Sequence, residues 1–99
     1  MVINGVFDVK ESGTYTFYTN SDDGSKLWVD GALMVDNWGL HGPRWRDGSV
    51  TLHQGIHDIK VEFFENFGGA KLLAEYSGPD TGNDRKPIEG WHKEVVQGE

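Results

Sequence analysis

Ile56-His57-Asp58-Ile59-Lys60-Val61-Glu62-Phe63-Phe64 is the stretch on which the reading of this chain turns. Ile59, Val61 and Phe63 alternate with Asp58, Lys60 and Glu62, the two-residue period of a strand that buries one face and wets the other. Working outward, Tyr15 and Phe17 alternate with Thr16 and Tyr18, and Leu72 and Ala74 with Lys71 and Glu75. Fourteen glycines and recurring turn residues separate these runs, which reads as antiparallel β-structure with almost no helix. The predicted strands are Val2–Val9, Thr14–Asn20, Lys26–Asp30, Ala32–Val35, Ser49–Leu52, Ile56–Phe64 and Lys71–Tyr76. The expected fold is all-β, an antiparallel β-sandwich or flattened barrel of about seven strands.

The alternation ends near Tyr76, so residues 1–78 are read as the β-domain. Residues 79–99, with Gly82, Pro87, Gly90 and many charges, are read as a linker or C-terminal extension. Trp91 is the anchor candidate there, with a packed and an unpacked ring equally admissible.

Composition narrows the function. A hydrophobic share of 36% and an aromatic share of 12%, spread along 99 residues, fit one packed domain. The formal charge is −7 and the nine Lys and Arg are scattered along the chain, so no basic stripe awaits a nucleic acid. The same charge repels an anionic membrane surface, and no apolar run approaches the ~20 residues of a spanning helix. With no cysteine, disulfides and thiolate metal sites are excluded, while the compartment stays open. Met1-Val2-Ile3-Asn4 does not open a signal peptide, and the chain is expected to be a piece of something larger.

Following the chain as a meander, each turn reverses its direction. Asp30-Gly31 and Gln54-Gly55 then fall at one pole, and Ser21–Gly24, the loop Asp36–Gly48 and the turn Glu65–Gly69 share the other. The first pole has plain hairpin turns. The second collects Asp22, Asp23, Asn66, Trp38, Trp45, Phe67 and His41, and loops displayed on a rigid sheet commonly carry function.

Adjacent carboxylates at Asp22 and Asp23 repel unless a cation lies between them, and calcium suits hard oxygen ligands. Asn66 and the Gly68 carbonyl would add two more oxygens, still short of the roughly six to eight that calcium takes. Sugar hydroxyls could complete the shell, with Trp38, Trp45 and Phe67 as a platform for the ring and His41 nearby. Each part also has a plainer reading: Ser21-Asp22-Asp23-Gly24 and Asn66-Phe67-Gly68-Gly69 are good turns, and Trp38 could simply pin its loop. His41, His53, His57 and His92 have no metal-ligand spacing and are read as surface residues. No nucleophile and base pair is visible around Ser21, Ser25 or Ser49, so an enzyme is not indicated.

The run from Gly13 through Thr14-Tyr15-Thr16-Phe17-Tyr18-Thr19-Asn20-Ser21-Asp22-Asp23-Gly24-Ser25-Lys26-Leu27-Trp28-Val29-Asp30-Gly31 closely resembles the centre of the domain named after the protective antigen of anthrax toxin. The resemblance continues through Val35-Asp36-Asn37-Trp38-Gly39 and Gly55–Asn66, and covers about Val6 to Gly78. It implies a β-barrel or sandwich grafted onto larger extracellular proteins, adhesins and glycosidases. In the family's lectins, such as the flocculins, two Asp joined by a cis peptide hold calcium, and calcium holds sugar. Carried onto this chain, the metal ligands are Asp22, Asp23, Asn66 and Gly68. Relatives usually carry a longer N-terminal part, so the expectation is either a barrel open at an edge, which leaves room for dimerisation, or a naturally minimal domain. The resulting expectation is a calcium-dependent carbohydrate-binding module of adhesion, with a mono- or oligosaccharide as partner and an extracellular or cell-surface location. The alternative is a non-lectin structural or protein-contact module accessory to a larger protein.

Overall fold

The computed structural model describes residues 2–39, 42–63, 71–89 and 91–96. Their strands are β1 (Val2–Val9), β2 (Gly13–Asp22), β3 (Ser25–Val29), β4 (Ala32–Asn37), β5 (Arg44–Leu52), β6 (Gly55–Phe63), β7 (Lys71–Ser77), β8 (Lys86–Pro87) and β9 (Trp91–Val96), with a 3-10 turn at Pro79–Thr81. They form two antiparallel sheets, ordered β4-β3-β6-β1-β9 and β5-β2-β7-β8. The all-β sandwich expected from the alternating residues is therefore what the chain adopts.

Each sheet turns one residue in two inward. Phe7 and Val9 of β1, Tyr15 and Phe17 of β2, Leu27 and Val29 of β3, and Ile59, Val61 and Phe63 of β6 are all buried, together with Val35, Leu52 and Ile88. Removing such a side chain from water contributes about 1.5–3 kcal/mol each. Phe7 is the hub, meeting Tyr15, Phe17 and Tyr76 edge to face at centroid distances of 5.8, 5.2 and 4.7 Å.

Several strands outrun their expected limits, β2 and β5 among them. β2 extends to Asp22, and β5 begins at Arg44, because Ser21 pairs with Arg44 and Asn20 with Trp45. Trp45, expected in a loop, is thus a strand residue.

The segment from Pro79 also departs from a linker. The Asp80 carboxylate accepts the backbone N–H groups of Lys10 and Glu11, both at 2.8 Å, which ties the 3-10 turn to the β1–β2 connection. Ile88 is 5% exposed, and its N–H donates to the Ala74 carbonyl at 3.0 Å. β8 then pairs with β7, and β9 with β1. Both sheets draw a strand from the stretch read as an extension.

Candidate functional site

The strand registers place the loops. Ser25 lies opposite both Asn37 and Phe63, and Ser21 opposite both Arg44 and Leu72. The connections 22–25, 37–44 and 63–71 therefore leave from one pole of the sandwich, as the meander argument required. Asp30-Gly31 and Gln54-Gly55 turn at the other.

The Asp22-Asp23 peptide bond is cis. Asp22 is half-buried, and Asp23 is 9% exposed. Beneath them, between the sheets, lies a polar cluster that reading the sequence did not single out: Thr19, Ser21, Ser25 and Asn37, all fully buried. The Ser21 and Ser25 hydroxyls are 2.8 Å apart, and Ser25 Oγ donates to Thr19 Oγ1 at 3.2 Å. Asn37 Nδ2 donates to the Arg44 carbonyl at 2.9 Å and to Ser21 Oγ at 3.3 Å, while Asn37 Oδ1 accepts from Arg44 Nε at 2.8 Å. Buried polar groups cost free energy unless paired, so this mutual pairing is what lets hydroxyls and an amide sit under the turn. Asn37 thereby joins β4 to the start of β5 and to the foot of the Asp22-Asp23 turn.

Does the turn suit calcium? Two carboxylates are right in donor type for a hard cation. Among the described residues, however, no group of three His, Cys, Asp or Glu side chains assembles. The other two expected ligands, Asn66 and Gly68, lie outside the described residues, as do His41 and Phe67 of the expected sugar site. The described half of the site thus fits the ion's chemistry without filling its shell.

Of the expected aromatic platform, Trp38 and Trp45 are among the described residues. Trp38 is 39% exposed, with Lys26 Nζ 5.2 Å from its ring centre, and its backbone N–H donates to Asp36 Oδ1 at 3.2 Å. Trp45 is 42% exposed and stands on the outer face of the four-stranded sheet beside Tyr18. Each ring already faces a cation of the protein itself.

At Trp45 that cation is Arg85. Its guanidinium carbon lies 4.3 Å from the Trp45 ring centre and 3.9 Å from that of Tyr18, so one guanidinium stacks on both rings. Glu75 fixes the group in place through contacts of 3.0 and 3.1 Å to Arg85 nitrogens. Together with Arg46 and Asp47 they line a shallow recess of about 320 Å³. Exposed Leu73 is carried by the neighbouring strand β7. This cluster draws on β2, β5, β7 and the segment before β8, which is why no contiguous motif announces it.

The model of the PA14 domain family, described as "PA14 domain", matches residues 1–90. The chain belongs to the PA14 domain family. Within it, the anti-sigma-I factor RsgI3 of Acetivibrio thermocellus is 39% identical over 72 residues, covering 70% of this chain and 11% of that protein. A solved anti-sigma factor domain-containing protein superposes with a TM-score of 0.79 at 32% identity, over 88% of this chain and 30% of that one. A second, from Clostridium clariflavum, gives 0.78 at 29% identity, over 97% of this chain and 33% of that one. A β-glucosidase from Kluyveromyces marxianus, at 18% identity and a TM-score of 0.55, shares the fold alone. This PA14 domain spans roughly a tenth of the curated relative and roughly a third of the two anti-sigma structures.

These relatives correct the expected function. The expected calcium-dependent lectin of adhesion, with a glycan as partner, gives way: the proteins sharing 39% and 32% identity are an anti-sigma-I factor and an anti-sigma factor domain-containing protein. Trp38 and Trp45 are each engaged by a cation of the protein itself, Lys26 and Arg85.

Proposed function

We propose that this PA14 domain is a non-catalytic protein-contact module within a larger regulatory protein of the anti-sigma type. The likeness to anti-sigma factors at 39% and 32% identity carries the reading. Opposition to a sigma factor would belong to the whole protein, with this domain holding a protein surface for it. The outer face of the four-stranded sheet is the surface best suited to that task. Trp, Tyr and Arg are enriched among the residues that dominate the binding energy of protein interfaces. Tyr18, Trp45 and Arg85 are stacked and braced by Glu75 before any partner arrives, so little ordering remains to be done on contact.

Calcium enters this reading as an ion that stiffens the rim, held by Asp22, Asp23, Asn66 and the Gly68 carbonyl. An extracellular or cell-surface location, where free calcium is plentiful, goes with it.

The test is a photoreactive residue in place of Trp45 in the full-length protein. Cross-linking to protein, lost when Arg85→Ala is added, supports the reading. A folded domain that yields no protein adduct overturns it.

A further inference from the structure

The pole opposite the rim holds an arrangement that the contact surface does not use. His57 is on the inward-facing side of β6, across from Phe7 of β1, and its side chain is 14% exposed. That corrects its reading as a surface residue. Nδ1 lies 2.6 Å from Asp30 Oδ2, and Nε2 lies 2.8 Å from the His53 carbonyl oxygen. The second oxygen of Asp30 accepts the Asp58 N–H at 2.9 Å, and the Asp30 N–H donates to the Asp58 carbonyl at 2.9 Å. Asp30 itself sits at φ +50°, in the left-handed region of the β3–β4 turn.

A carboxylate and a carbonyl can only accept hydrogen bonds, and each ring nitrogen of His57 faces one of them. A neutral imidazole has a single N–H and satisfies one contact while setting lone pair against lone pair at the other. The imidazolium satisfies both. We infer that His57 is a proton-gated clasp: when protonated it joins the β3–β4 turn at Asp30 to the β5–β6 turn at His53, and when neutral it releases one of the two.

The charged surroundings agree. Asp30 faces His57 from the β3–β4 turn and Asp58 is its neighbour on β6; both raise the His57 pKa, the Asp30 hydrogen bond most of all, with the His53 carbonyl second. Asp30 is held below its usual value, chiefly by the same bond. β1 presents uncharged Phe7 directly opposite, and its Asp8 is paired with Lys10. The β5–β6 turn offers its His53 carbonyl, and its Gln54 N–H donates to Ser12 Oγ at 2.7 Å. β4, the edge strand that this hairpin carries, is thereby fastened to the sheet more firmly in acid than in base.

A ¹⁵N-detected NMR titration of the histidines in the folded protein tests the clasp. Both His57 ring nitrogens should carry protons below a midpoint that lies above the ordinary histidine value of about 6.5. Asp30→Asn, which keeps an acceptor and removes the charge, should move that midpoint down toward the ordinary value. The stability lead of wild type over His57→Gln should be full below about pH 6.5 and should vanish as pH rises through the folded midpoint. A His57 that titrates at or below the ordinary value, or a midpoint indifferent to Asp30→Asn, overturns the inference. The NMR arm needs only the wild type and Asp30→Asn, so it stands even if His57→Gln does not fold.

Discussion

Gly48 of β5 lies against the Met34 carbonyl of β4, so closely that a methyl group on Gly48 would stand 1.8 Å from that oxygen. β4 and β5 are edge strands of different sheets, and this backbone contact closes the sandwich along one side. No flexible side chain can give way there, because the obstacle is main chain. Gly48→Ala is expected to cost at least about 1–3 kcal/mol, the usual toll of overpacking. Urea unfolding followed by tryptophan fluorescence would read it as a lower midpoint, and an unchanged midpoint would contradict the close approach.

Tyr15 is fully buried, and its hydroxyl donates to the Glu11 carbonyl at 2.6 Å. Tyr15→Phe keeps the ring in the core and removes that bond, for an expected loss of about 1 kcal/mol. Burial, followed by Asp80 nearby, pushes the Tyr15 hydroxyl up to about 12. A pKa raised on folding gives stability that is complete below the free value of about 10 and fades as pH climbs toward the folded one. Tyrosinate absorbance should therefore lag behind a free tyrosine until the protein unfolds in alkali, and Tyr15→Phe should shrink the delayed fraction.

Asn37 is the joint of the buried polar cluster. Asn37→Ala takes the amide partner from the Arg44 carbonyl and Arg44 Nε, and one of the partners from the Thr19 and Ser21 hydroxyls, which keep Ser25; it is expected to cost roughly 2–3 kcal/mol. Differential scanning calorimetry should show the loss directly. A neutral outcome would mean that water replaces the amide without penalty.

Chelator sensitivity decides the role of the rim. If calcium binds the folded chain at a hundredfold excess over its dissociation constant, it adds about 2.7 kcal/mol. Chelation should then lower the melting temperature of the wild type and leave Asp23→Ala unmoved. Equal melting curves with and without chelator in the wild type would remove calcium from the proposal.

Much of this could be read before the coordinates. Ile59, Val61 and Phe63 announce β6 by period alone, and strand parity alone puts the Ser21–Gly24 turn and the loop that begins at Asp36 at one pole. Arg44 to Gly48 escaped because that run is charged and ends in glycine, and its strand exists through pairing with Ser21 to Phe17. Residues 86 to 96 escaped for the same reason, since β8 and β9 are formed by neighbours already in place. Arg85 has no local signal at all. Its partners Tyr18, Trp45 and Glu75 come from three other strands, and only the folded sheet sets them side by side. The same holds for His57, whose distinguishing mark is a carboxylate 27 residues away.

β1 and β9 are antiparallel neighbours, with Val2 opposite Val96, and Val2 also lies opposite Glu62 near the upper end of β6. The start of β1 and the end of β9 thus lie at the same pole of the sandwich as the Asp22-Asp23 turn, because Glu62 in turn lies opposite Lys26. His57, paired with Asp30, lies at the far pole, the end of the molecule remote from both strand ends.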